Sequence, residues 1–422
     1  MTMRILTGRK FNLFERGIAT VSLEHAQLGR TRLYDGRPSR AWRSTSLAAD
    51  QVLRVDGNLI TDGVSDFGGF ETWASGSPAG WTEENTGTGA VTEEAAIFNS
   101  GAKSAKFTAG TGTASIYRDI VVKAGEILNV QSALRGDGTG IVRLRLYNTL
   151  THKYYDGVAT NTWVTAVSDV RTQQAASWST ETETITVESH ALCQSDLVTL
   201  RLTVLSLTTG GPSAYADDVY IWPRINFASI HGHNIDPGQL VTLRSSTDNW
   251  VGSNTQEGTA VPTVPTFYML QAAGNQDRRY WGIQLHGAPS VIPEIGELVI
   301  GYAQQPTQQY ENPLEASSRW DRQASITPGG EVHTHKRSKW PIRSRVFHYN
   351  FWTQAAYDNA RELFHLRPEG DAYPVVVVPD TTRPEVIHGR LRSTFEDALI
   401  LSEYFQDVAV ELEESPFAST AF

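Results

Sequence analysis

A two-residue hydrophobic period constrains this chain more than any other feature. Between Asp196 and Leu205, Leu200, Leu202 and Val204 point one way while Thr199, Arg201 and Thr203 point the other. From Ile141 to Tyr147 the pattern recurs, with Val142, Leu144 and Leu146 opposite Arg143 and Arg145. Successive strand side chains alternate between faces, so each stretch reads as a strand with one buried and one wetted face. Such strands, separated by Gly-rich and Thr/Ser-rich turns, predict β-sandwiches. One helix is predicted: Thr353 can cap a segment whose apolar side is Ala356, Tyr357, Ala360, Leu363 and Phe364, stopping before Pro368 and Gly370.

Composition narrows the class of partner. The chain has 422 residues, 40% hydrophobic and 19% charged, with 35 Gly and 11 Trp. That balance suits folded β-structure with many turns rather than disorder, and the length suits about two to four domains. A formal charge of −10 opposes nonspecific binding to phosphate backbones, whose affinity comes from clustered Lys and Arg. No nucleic-acid partner is expected. Cys193 is the sole cysteine, which excludes an intramolecular disulfide and a cysteine metal cage. The segment Met1-Thr2-Met3-Arg4-Ile5-Leu6 lacks the apolar run of a secretory signal, and no stretch approaches the roughly 20 apolar residues of a membrane span. Catalytic signatures of the GxSxG, HExxH, phosphate-loop and Cys-His kinds are missing. The adjacent pairs Glu83-Glu84 and Glu413-Glu414 direct their side chains apart rather than at one substrate, so no enzymatic activity is expected.

Two distant runs read as halves of one domain. The first passes Tyr34-Asp35-Gly36-Arg37-Pro38, Ala41-Trp42-Arg43-Ser44 and Gln51-Val52-Leu53-Arg54-Val55-Asp56. The second resumes at Ile225-Asn226-Phe227, passes Val241-Thr242-Leu243-Arg244 and Arg279-Tyr280-Trp281-Gly282, and closes at Gly296-Glu297-Leu298. Joined, they resemble a discoidin-like β-sandwich of the coagulation-factor C-domain family. The resemblance implies surface binding, with Trp42 and Trp250 at core positions and ligand-facing loops near Arg37 and Asn249.

The interrupting stretch has an order of its own. It opens Phe70-Glu71-Thr72-Trp73 and Gly80-Trp81, continues Ser100-Gly101-Ala102-Lys103-Ser104-Ala105-Lys106-Phe107, and ends Ala216-Asp217-Asp218-Val219. That order resembles the jelly-roll carbohydrate-binding modules attached to glycoside hydrolases. The resemblance implies core positions for Trp73 and Trp81. It also implies a structural calcium ion held by Glu71 with Asp217 or Asp218, backbone carbonyls completing the roughly six to eight oxygens such an ion takes; the alternative is that the two aspartates cap a turn. Sugar binding needs aromatic faces with a few polar groups beside them. Among the aromatics Trp73, Trp81, Tyr147, Tyr154, Tyr155, Trp163 and Trp178, the best candidates are Tyr154, Tyr155 and Trp163, with Asp156 beside them, in a Gly/Asn/Thr-rich region.

Beyond Gly301 the run Gln304-Gln305-Pro306-Thr307-Gln308-Gln309 reads as a linker. It leads to the predicted helix and to the continuously apolar Val375-Val376-Val377-Val378, a strand covered on both faces. This part resembles terminal domains of phage tail-tip and baseplate proteins. His231-Gly232-His233 and His333-Thr334-His335 have a metal-ligand spacing without an acidic cluster nearby, and read as polar histidines. Lys336, Arg337, Lys339, Arg343 and Arg345 read as a charged edge strand. The expected organisation is therefore mainly β: a discontinuous discoidin-like sandwich at 1–61 and 224–303, an inserted jelly roll at 62–223, and a small C-terminal α+β domain at 304–422. The resemblances imply a virion structural protein of a bacteriophage distal tail or baseplate. It would be made in a host cytoplasm, and would assemble with itself in a symmetric ring and with other tail proteins while the insert faces host-surface glycan. A secreted or cell-associated carbohydrate-binding accessory protein and a capsid decoration protein are the alternatives.

Overall fold

The computed structural model describes residues 4–6, 12–22, 24, 27–33, 41–188, 197–207, 212–251, 254–262, 266–270, 276–305, 311–319, 322–326, 332–336, 342–351, 375–379, 381, 386–391 and 405–414. Within them the chain is mainly β, as its alternation predicts. The helical segments described are the four-residue Leu13–Arg16 and the 3-10 turn Arg30–Leu33. The helix expected after Thr353 lies outside the described residues. Two compact units form: one comprises Met1–Glu15, Ala19–Val55 and Ile225–Phe422, the other Arg16–Ile18 and Asp56–Arg224.

The first unit contains a sandwich whose strands come from both sides of the interruption. Its four-stranded sheet runs Thr266–Leu270, Phe227–His233, Glu294–Gly301, Trp42–Arg43. Its five-stranded sheet runs Ile18–Val21, Gln51–Asp56, Tyr280–Leu285, Val241–Ser246, Asn254–Ala260. Between them lie Trp42, Leu53, Val55, Ile230, Leu243, Trp281, Ile283 and Leu298, each stabilising by about 2–3 kcal/mol relative to exposure. Trp281 is fully buried, and its indole N–H donates to the Arg278 carbonyl at 2.8 Å, which satisfies the one polar atom a buried indole carries in. Trp250 departs from the expected core position. It is half-buried in a turn at φ +69°, with the Arg54 guanidinium 5.1 Å from its ring centroid.

The same unit holds a six-stranded sheet in the order Arg4–Leu6, Val375–Val378, Ile387–Leu391, Phe405–Glu414, Ile342–Phe351, Glu311–Arg319. Val376, Val377 and Val378 are buried. Sequence placed the first residues in the discontinuous sandwich, but Arg4–Leu6 pairs antiparallel with this valine strand, Arg4 opposite Val378. An apolar strand left at a sheet edge exposes unpaired N–H and C=O groups, and the short N-terminal strand covers them. Phe227, Val299, Ala303, Val376, Val378 and Val386 make a further apolar cluster in this unit. His231 and His388 are fully buried with ring centroids 4.6 Å apart, whereas His233 accepts from the Ile235 N–H and lies edge-on to Phe267. The two histidines of the His231-Gly232-His233 run therefore serve separate packing sites.

In the second unit one sheet runs Thr162–Val164, Lys153–Asp156, Val142–Asn148, Leu197–Ser206, Ala114–Lys123, Thr82–Glu83, with Arg171–Gln173 also pairing to Val142–Asn148. The other runs Ser179–Thr186, Ile127–Arg135, Ser213–Pro223, Ser104–Thr108, Ala90–Glu94. Val142, Leu144 and Leu146, Leu200, Leu202 and Val204, and Ile116, Ile120 and Val122 share one core with Leu128, Val130, Leu134, Ile185 and Ile221. Trp81 is buried, stacked on Phe70 at 5.4 Å and bonded to the Phe67 carbonyl. Trp73 is half-buried at the margin of that core. Because the alternation spends the apolar residues on one face, the opposite face of the first of these sheets is left to polar and aromatic side chains.

Candidate functional site

That outer face is assembled by register. On Val142–Asn148 the outward residues are Arg143, Arg145 and Tyr147; on Leu197–Ser206 they include Thr199, Arg201 and Thr203; on Ala114–Lys123 they include Tyr117, Asp119 and Val121. Tyr147 stands opposite both Tyr154 and Arg201, and Arg201 stands opposite Asp119. One row therefore reads Tyr154, Tyr147, Arg201, Asp119. In the adjoining row Arg145 and Tyr117 each stand opposite Thr203.

The aromatic and charged side chains in these rows are each fixed by a neighbour. The Tyr147 and Tyr154 rings are 4.8 Å apart and tilted by 41°, and the Tyr147 hydroxyl shares a 2.9 Å hydrogen bond with His152 Nδ1. Arg201 donates to Asp119 through Nε at 2.8 Å and Nη2 at 3.0 Å, and lies 4.1 Å from the Tyr117 centroid. Its bidentate bond to Asp119 is the largest cause holding the guanidinium above its ordinary range. Arg143 Nη1 and Arg145 Nε both donate to Asp169, each at 2.6 Å. The arrangement offers ring faces beside fixed donors and acceptors, which is the chemistry a pyranose needs: its C–H face packs on an aromatic ring while polar groups orient its hydroxyls.

Of the four residues singled out for sugar, only Tyr154 lies on this face. Lys153–Asp156 is a strand, so Tyr154 and Tyr155 point to opposite sides. Tyr155 is 5% exposed and belongs to the core, where burial first and Glu183 second push its hydroxyl up. Trp163 packs edge-on to it at 5.5 Å and donates its indole N–H to the Thr186 carbonyl, closing the core margin. Asp156 is buried and accepts from the Ala159 N–H and the Thr160 hydroxyl. Burial works against its ionisation, but the hydrogen bonds from Ala159, Ser168 and Thr160 prevail and its carboxyl lies below the usual range. Tyr155, Asp156 and Trp163 are thus packing and turn residues, which corrects the expectation. Tyr117, Arg145, Tyr147 and Arg201 were missed as a site, although the alternation already placed Arg145 and Arg201 on wetted faces.

Glu71, Asp217 and Asp218 do come to one place, but as a clamp on a loop. Asp217 Oδ2 accepts from the Asn99 and Ser100 N–H groups at 2.8 and 3.1 Å, and its Oδ1 from the Asp218 N–H at 2.8 Å. Asp218 accepts from Asn99 Nδ2, Ser100 Oγ and the Tyr220 hydroxyl. Glu71 Oε1 accepts from the Ala102 and Lys103 N–H groups, and passes so close to Gly101, at φ +64°, that a side chain there would collide with it. A carboxylate has about four lone-pair sites, and here most of them are spent on N–H and O–H donors, whose positive ends occupy the directions a cation would need. No group of three His, Cys, Asp or Glu among the described residues could hold a metal ion. The residues do not fit the calcium cage that the resemblance implied; the loop at 99–103 itself links the segment at Glu71 to the strand Ser213–Pro223.

No family model matches the chain, and no curated protein matches it. Solved structures do. The CBM22-1 xylan-binding domain of Paenibacillus barcinonensis Xyn10C is 14% identical, with 37% of this chain and 90% of that one aligned at a TM-score of 0.25. TmCBM61, solved with β-1,4-galactotriose, is 16% identical over 37% of this chain and 94% of that one, TM-score 0.25. The enzymatically active domain of bacteriophage CBA120 tailspike protein 4 is 14% identical over 38% of this chain and 22% of that one, TM-score 0.26.

Proposed function

We propose that the protein is a non-enzymatic structural component of a bacteriophage distal tail or baseplate, and that its second unit holds host-surface glycan on the outer face of its seven-stranded sheet. One observation carries the glycan part: the row Tyr154, Tyr147, Arg201, Asp119, with Arg145 and Tyr117 in the adjoining row. The virion part is supported by the discontinuous sandwich, whose discoidin-like text belongs to this reading, and by the strand-rich sheet around Val375–Val378. Apolar strands and their edges join β-proteins to neighbours through burial and edge pairing. Many copies in a ring would raise avidity for a weakly held glycan without any new contact.

Tyr147→Ala is expected to weaken oligosaccharide binding about tenfold, the loss of one ring contact, while Trp163→Phe changes it little. Isothermal titration of the full chain checks this, and the reverse ranking would move the site back to the strand that carries Trp163. For the virion part, deleting the insert is expected to leave particles that form but adsorb poorly to cells. Truncation at Gln304 is expected to leave a protein missing from the particle. Incorporation without the C-terminal segment, and none without the insert, would reverse the two roles.

A further inference from the structure

The outer face has an uneven charge. Arg201 is spent on Asp119 in a two-point contact. Arg143 and Arg145, by contrast, share the single carboxylate of Asp169. Two guanidiniums against one carboxylate leave one net positive charge at that spot, in a chain whose formal charge is −10. The cluster is also short of acceptors. Arg145 donates to Asp169 through Nε, and its two Nη groups have no acceptor among the described residues. Arg143 Nε is buried without one. Both side chains stay partly open to solvent, at 29% for Arg143 and 20% for Arg145.

A guanidinium is a rigid planar fork that matches a carboxylate at two points, and it keeps its charge at every working pH. Arg145 lies two residues from Tyr147 on the same face of the same strand, about 7 Å away along it, which is the scale of one monosaccharide. A sugar stacked on Tyr147 can therefore direct a ring substituent at Arg145. We propose that the glycan of this face is acidic, a hexuronate-containing chain whose carboxylate completes the Arg143–Asp169–Arg145 cluster into two cations and two anions. The inference rests on the reading of the face as a glycan site. It adds the class of sugar, and it accounts for the two unspent Nη groups, which a neutral glycan has no charge to meet.

The test uses the full chain and a panel of galacturonate, glucuronate and mannuronate oligosaccharides, each beside its carboxyl-reduced neutral counterpart. Affinities are measured by titration calorimetry at low salt and again at high salt. At least one uronate is expected to bind at least about tenfold more tightly than its reduced form, the worth of a charge-assisted contact, with the ratio shrinking as salt screens it. Arg145→Gln is expected to bring that ratio to about one, while Tyr147→Ala lowers both affinities and leaves the ratio in place. Arg143→Gln, with melting temperatures for both variants, guards against a folding defect. Equal binding of acid and reduced forms, or a preference that survives both arginine variants, overturns the acidic-sugar inference and leaves the glycan face standing. No binding to any member of the panel overturns both.

Discussion

Replacing Trp281 by alanine is expected to destabilise the first unit by about 3–5 kcal/mol, the usual cost of removing a large aromatic ring from a packed core. The ring is fully buried between the two sheets of the sandwich, among Trp42, Leu53 and Ile283. The indole N–H leaves together with its ring, so the Arg278 carbonyl loses a donor as well. With two compact units in the chain, calorimetry can follow two transitions. The one belonging to the first unit is expected to move down by roughly 2–4 °C per kcal/mol, the other to stay. Trp281→Phe, which keeps most of the volume, is expected to cost less than half as much. An unmoved transition for the alanine variant would mean that this ring does not sit at the centre of a cooperative core.

Asp217 carries the second large effect. Its carboxylate is the acceptor for three backbone N–H groups, from Asn99, Ser100 and Asp218, and a buried donor left unpaired costs about 1–3 kcal/mol. Asp217→Ala is therefore expected to destabilise the second unit by about 2 kcal/mol, since the Asp218 N–H is buried while the exposed Asn99 and Ser100 can turn to water. Burial first and the Asp218 charge second raise the Asp217 carboxyl from 3.8 to about 7, against the pull of the Ser100 and Asn99 amides. Between about pH 4 and 7 the folded state thus keeps a proton that the unfolded chain has released. Stability must fall as pH rises through that window. Melting curves of the second unit, recorded in chelator so that stray divalent cations play no part, are expected to show this slope in the native protein and to lose it in Asp217→Asn. A slope of the opposite sign would mean that the amide donors outweigh burial and that the carboxylate is ionised throughout.

The mainly β architecture was legible because alternation is a local signal: Leu200, Leu202 and Val204 announce a buried face without reference to any other part of the chain. The pairing of Arg4–Leu6 with Val376–Val378 was not, since a three-residue strand has no period to read and its partner lies at the far end of the sequence. Site residues failed for a related reason. Tyr154-Tyr155-Asp156 looked like a loop by composition, and once it is a strand the even-odd rule sends Tyr155 inward. The same rule, applied to Arg143, Arg145 and Tyr147, would have found the outer face. What it could not supply was which strand lies beside which. Only the register brings Tyr147 to Arg201 and Tyr154. The carboxylates Glu71, Asp217 and Asp218 all bond the segment 99–103, but a list of residue types does not say whether carboxylate oxygens meet a cation or a row of amides.

The strand Arg4–Leu6 also bears on the order in which the molecule can be built. A ribosome releases that strand long before its partner Val376–Val378, so the apolar residues Ile5 and Leu6 wait through the synthesis of the intervening chain with no sheet to join. All but three residues of the second unit, by contrast, lie between Asp56 and Arg224, and their pairings can close while the rest of the chain is still being made. Contacts this distant are slow to form, because the entropy of bringing the ends together is lost before any contact repays it. An unpaired early strand is also a site for wrong pairing between nascent chains. The interrupting unit can thus mature inside a host that is still unfinished, and the last sheet to close is the one that joins Arg4–Leu6 to Val375–Val378.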